Sequence, residues 1–144
     1  MKQIFSIVIV LMLCSSKLML AQDAAKSPIV GNDKDKYGCI GSAGYTWSVL
    51  KKDCVRSFEL TNTDENAIEL VSIDNTQKMT VLFSSDKKKV EVFYSGGNKV
   101  VNKSTKGNFY VLKNDKNGVE KLINLKGKWQ FVRVNNGKKE VLYQ

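Results

Sequence analysis

Histidine is absent from this chain. That excludes histidine triads, cysteine–histidine dyads, imidazole general bases and histidine-ligated zinc. There is no Cys-x-x-Cys pair for a redox or metal centre, and no phosphate loop. Gly41-Ser-Ala-Gly44 is too short for one, and no strand-then-helix pattern surrounds it. Arginine occurs only as Arg56 and Arg133, so lysine carries almost all the positive charge. An ammonium is a hydrated point charge without the planar fork that reads a phosphate or a base edge. The net charge of +9 therefore reads as a soluble, lysine-rich surface and not as a nucleic-acid footprint. The carboxylates Asp53, Glu59, Asp64, Glu65, Glu69 and Glu91 fall in turns or alternate outward on strands, where they are expected to be solvated. No enzyme activity, cofactor or metal is expected from this inventory.

Long apolar runs are also missing. The longest, Ile4 to Cys14, is broken by Ser6 and spans about 11 residues, short of the ~20 that cross a bilayer. Lys2 precedes it and Ala21 follows it, as in a secretory signal peptide over residues 1–21 cut near Ala21. The expected location is the periplasm or the exterior. Cys14 offers a less favoured route, lipid attachment, but it follows Leu13 and not a small residue. Residues 22–36 are polar, contain the only proline (Pro28) and read as a flexible leader. Residues 37–144 are long enough for one domain with a small core.

From Ala67 onward, short β-branched and aromatic runs alternate with Gly, Asn and Asp clusters. The runs are 67–73, 79–83, 90–94, 99–101, 109–112, 119–125, 129–134 and 140–143. Within them, Met79, Val81 and Phe83 share one face, as do Val90, Val92 and Tyr94, then Phe109 and Val111, then Trp129 and Phe131. This spacing predicts an all-β protein: an antiparallel meander of about eight strands closing into a small barrel, its interior lined by Val81, Val92, Val111 and Phe131. A hairpin of Tyr45–Leu50 and Cys54–Leu60, turning at Lys51-Lys52-Asp53, precedes it; a helix over Thr46–Lys52 is the rival reading.

With Cys14 removed, Cys39 and Cys54 are the two remaining cysteines and should pair. Closing that loop should stabilise the fold by roughly 3 kcal/mol in the chain-entropy picture. Within it, Ser42, Gly44 and Tyr45 form a small-residue and aromatic display, with Arg56 just beyond as a charged anchor. Trp47 is expected to pack near the disulfide.

The pattern Cys39-x-Gly-Ser-Ala-Gly-Tyr45-x-Trp-Ser48, with Cys54-Val-Arg-x-Phe-Glu59, resembles a segment of small exported proteins of Gram-negative bacteria. The resemblance implies a periplasmic or secreted β-protein. Ser42-Ala-Gly-Tyr45 is similar to the active loop of periplasmic inhibitors of C-type lysozyme. Gly127-Lys-Trp129 is similar to the Gly-x-Trp of lipocalin-like barrels. Together these imply a monomeric, exported, non-catalytic binding protein. An inhibitor of a secreted protease or lysozyme-type hydrolase, with Ser42, Gly44, Tyr45 and Arg56 at the contact, is the first expectation. A barrel holding a small apolar ligand or lipid is the second. An envelope-associated structural protein, touching membrane only peripherally or through Cys14, is the third.

Overall fold

A computed structural model describes residues 33–144 except Gly96. The signal peptide expected over residues 1–21, its cut near Ala21 and the lipid-attachment option at Cys14 lie outside the described residues. Of the leader expected over residues 22–36, the last four are described, and Asp33, Lys34 and Asp35 are bonded into the fold. Asp35 Oδ1 accepts the amides of Tyr37 and Cys39, and Lys34 bridges to Ile40.

Ten strands follow in chain order. The pair β1 (Thr46–Ser48) and β2 (Asp53–Val55) forms the expected hairpin. It is shorter than its sequence pattern. The chain beyond Val55 turns through a 3-10 segment, Ser57–Glu59, into one helical turn, α1 (Leu60–Thr63). The rest is β3 (Ala67–Val71), β4 (Lys78–Phe83), β5 (Lys89–Tyr94), β6 (Gly97–Asn102), β7 (Phe109–Asp115), β8 (Gly118–Leu125), β9 (Lys128–Asn135) and β10 (Lys138–Tyr143).

Short turns set the meander. Two of them repeat one device. In Ser72-Ile-Asp74 and Ser84-Ser-Asp86 the serine hydroxyl donates to the aspartate two residues on, at 2.6 and 2.7 Å. Each aspartate accepts the amide two residues further, and each serine Oγ accepts the amide five residues on. Such local side-chain bonds stand in for ladder bonds where the chain reverses.

The strands do not close into a barrel. They form two antiparallel four-stranded sheets, β3-β4-β5-β6 and β7-β8-β9-β10. The sheets touch at two seams. At one, Val71 and Gln144 exchange backbone hydrogen bonds at 2.9 Å and Ile73 donates to Leu142. At the other, Lys103 bridges to Tyr110. Away from that bridge β6 and β7 part, and the gap is crossed by a side chain instead: Lys99 Nζ donates to the Leu112 carbonyl at 2.6 Å. Splayed strands cannot continue a ladder, so closure fails there.

Leu70, Met79, Val81, Phe83, Val90, Val92, Tyr110, Leu112, Leu122 and Phe131 pack between the sheets. Val111 was expected inside, but the register shifts between Val111 and Lys113, and Leu112 joins the core in its place. One end of this interior is filled by Phe83, Tyr110 and Trp129, with Phe83 and Trp129 centroids 4.8 Å apart. A second core lies on the opposite face of the first sheet, where Val55, Leu60 and Leu50 cover Ala67, Leu82 and Phe93. The molecule therefore has three layers, and β4 and β5 are buried on both faces.

The second core overturns one expectation. Glu91 was read as a solvated carboxylate, yet it is 0 % exposed. It points to the face that the hairpin covers. There it accepts the Ser48 hydroxyl (2.6 Å) and the amides of Val49 (2.8 Å) and Leu50 (3.1 Å), with Asn98 Nδ2 as a further donor. Burial of a carboxyl group is tolerable only when its oxygens are satisfied in this way.

Candidate functional site

The expected disulfide is present: Cys39 and Cys54 are joined, with Cα atoms 5.5 Å apart. Trp47 lies opposite Cys54 in the hairpin ladder and stacks on Tyr37, ring centroids 4.5 Å apart. It belongs to neither core cluster, being only half-buried beside the staple.

The four residues expected at a partner contact come together beside this staple. Ser42 is fixed from behind, its hydroxyl donating to Asp33 Oδ1 at 2.7 Å and its amide to Oδ2 at 2.5 Å. These bonds hold the Asp33 carboxyl below the usual carboxylate range. Gly44 ends the Gly41–Ala43 turn in the left-handed region, φ 81°. A side chain there would also press on the Phe58 ring, whose Cε1 is 3.2 Å from the position a Cβ would take. Arg56 is spent inside the loop. Its Nε donates to the Ala43 carbonyl, Nη1 donates to Glu59, and the guanidinium lies 4.7 Å from the Tyr45 ring centroid. Tyr45 is thus pinned by a cation–π contact while 37 % exposed.

A second feature bears on the ligand-holding alternative: of the interior residues expected from sequence, Val92 and Phe131 line it, and Val81 and Val111 do not. At the splayed end of the sheets opens a cleft of about 1340 Å³. Met79 and Val92 from the first sheet and Leu112 and Phe131 from the second form its floor. It runs over the ends of β4 and β5 to Phe93, Ser57 and Phe58. Its lip carries Phe58 (58 % exposed), Ile73 (53 %) and Tyr94 (46 %). Phe58 borders both the cleft and the stapled loop, so the two surfaces are continuous.

The wall above the floor is charged in an ordered way. Lys113, Glu120, Arg133 and Glu140 occupy matching positions on β7, β8, β9 and β10, as cross-strand partners in sequence. Charge alternates in sign along this row. Arg133 donates to Glu120 at 2.8 Å, and this bond raises the Arg133 pKa further. Lys113 pairs with Asp115 at 2.8 Å, which raises the lysine and lowers the aspartate. From the first sheet, Lys99 enters as the cross-strand partner of Val92.

Parity along the strands held a signal for this row. Arg133 lies two residues from Phe131, and Glu120 two residues from Leu122, so period 2 places both inward. The assumption that charges face solvent hid them. Phe58 had no such signal, because its segment was read as strand. Comparison with protein families, with curated proteins and with solved structures finds no match for this chain.

Proposed function

We propose that this is a non-catalytic binding protein of an oxidising, extracytoplasmic compartment, and that its ligand seats in the cleft between the two sheets. The disulfide favours that compartment, since such bonds persist where thiols are not kept reduced. The observation that carries the reading is the combination of floor and lip: a cleft floored by the buried apolar side chains of Met79, Val92, Leu112 and Phe131, with exposed Phe58, Ile73 and Tyr94 at its lip. Large apolar clefts with a few placed polar groups are the usual form of a ligand site, at roughly 300–1,000 Å³. This one exceeds that range and suits an extended ligand.

Titration with N-phenyl-1-naphthylamine, a neutral apolar fluorophore, tests it. Saturable enhancement is expected with the wild-type protein. Leu112→Trp, which fills the floor, should abolish it while leaving the circular dichroism spectrum intact. An unresponsive wild-type protein would sink the reading.

A second reading keeps the stapled loop as an inhibitory contact for a secreted hydrolase. What favours it is the pinned Tyr45, whose ring is ordered before any partner arrives, so that little entropy is lost on binding. In this reading Arg56 is a positioning residue. Tyr45→Ala should then relieve inhibition of a secreted protease or lysozyme with folding unchanged. If a broad panel of such enzymes is untouched by the wild-type protein, this reading falls.

A further inference from the structure

We infer that the cleft selects amphiphiles bearing a single carboxylate, an aliphatic acid being the simplest, and that Lys99 anchors the carboxylate. The inference rests on the cleft reading and assigns its ligand class.

Charges that line the cleft are largely matched within the protein. Lys78 pairs with Glu69 at 2.9 Å, Lys113 with Asp115 and Arg133 with Glu120. Lys99 differs. Among the described residues it forms no ion pair, and its ammonium bonds only the Leu112 carbonyl. That bond uses one of three N–H donors and holds the ammonium above the floor residues Val92 and Leu112. An inward lysine on an apolar strand face, fixed but without a counter-ion, is a receptor for an anion whose remaining body is apolar. A carboxylate there would accept the two spare donors while its chain covers Met79, Val92, Leu112 and Phe131. Across the cleft the Glu140 carboxylate, which forms no ion pair among the described residues, opposes a second negative charge and restricts the ligand to one. The positive net charge favours the approach of such an anion.

Displacement of bound N-phenyl-1-naphthylamine by decanoate and by decanol at the same pH tests this. Decanoate should compete about tenfold better than decanol, the worth of one charge-assisted contact. Lys99→Met should remove that advantage without weakening decanol, and Lys99→Arg should restore most of it. Lys99→Met also removes the hydrogen bond that crosses to the Leu112 carbonyl, so a modest fall in thermal midpoint is expected, and the unchanged decanol affinity reports that the cleft is intact. Equal competition by the two ligands in the wild-type protein would overturn the anchor and leave the cleft reading standing. Failure of the naphthylamine itself to bind would remove both. Binding to anionic phospholipid vesicles without displacement by decanoate would overturn the inference in favour of a membrane surface.

Discussion

The Ser48 hydroxyl donates to Glu91 Oε2 at 2.6 Å, across 43 residues of chain, and both residues are 0 % exposed. This contact fastens the stapled hairpin to the middle of the first sheet. The same carboxyl group also takes the amides of Val49 and Leu50, so one side chain serves the end of β1 and the start of its turn. The hairpin is thereby tied down twice, covalently at Cys39–Cys54 and by hydrogen bonds at Glu91.

Removing the Glu91 side chain should be among the most damaging single changes. Glu91→Ala strands several buried donors, each costing about 1–3 kcal/mol. The expected loss is about 3–5 kcal/mol out of a total of about 5–15 kcal/mol. Glu91→Gln keeps one acceptor and should lose roughly half as much. Urea denaturation followed by tryptophan fluorescence measures both; a shift of the midpoint below about 1 kcal/mol for Glu91→Ala would contradict the assignment.

The double variant Cys39→Ser, Cys54→Ser should be destabilised by about 3 kcal/mol through the freed unfolded chain. Its folded state should keep the two four-stranded sheets, because their core lies on the far side of the first sheet from the hairpin. Thermal melts of the oxidised and reduced wild-type protein should differ by the same amount as the variant differs from oxidised wild type. Equal melts would show that the staple does not restrain this fold.

Gly118 opens β8 at φ +119°, and a Cβ there would lie 2.6 Å from the Val134 carbonyl oxygen of the paired strand. Backbone cannot yield as a side chain can. Gly118→Ala should cost at least about 2 kcal/mol, from the clash added to the left-handed strain. Gly127→Ala is the control: its φ is +88°, but nothing lies within 4 Å of the added methyl, so only about 1 kcal/mol is expected. Similar midpoints for the two variants would refute the close approach.

Acid should weaken the turn between β3 and β4. The Ser72 hydroxyl, then the Thr76 hydroxyl and amide, hold the Asp74 pKa down at about 2, from the ordinary 3.8. A carboxyl whose folded pKa lies below its unfolded one contributes stability above the unfolded value. That contribution disappears as pH falls through the folded one. The window is therefore from about pH 4 down to about pH 2. In Asp74→Asn the stability–pH curve should be flatter in that window than in the wild type, and an identical acid limb would refute the role of Asp74.

Much of the fold was legible in the chain. Alternation at Met79-Thr-Val81-Leu-Phe83 and Trp129-Gln-Phe131, with Gly, Asn and Asp between runs, placed all of β3 to β10, because strand pleat and turn chemistry are local. The cysteine pair was legible for the same reason: once Cys14 is set aside, only one pairing exists. Parity along a strand also says which side chains share a face. It does not say what lies over that face. Glu91 and Phe93 share theirs with Leu82, and only the landing of the hairpin, some forty residues earlier in the chain, makes that face an interior. The splay between β6 and β7 is likewise a matter of how two twisted sheets meet, and it turns Lys99 and the row from Lys113 to Glu140 from surface charges into the wall of a cleft. Local periodicity determined the strands; the packing of layers distant in sequence decided which charges are buried and which are paired.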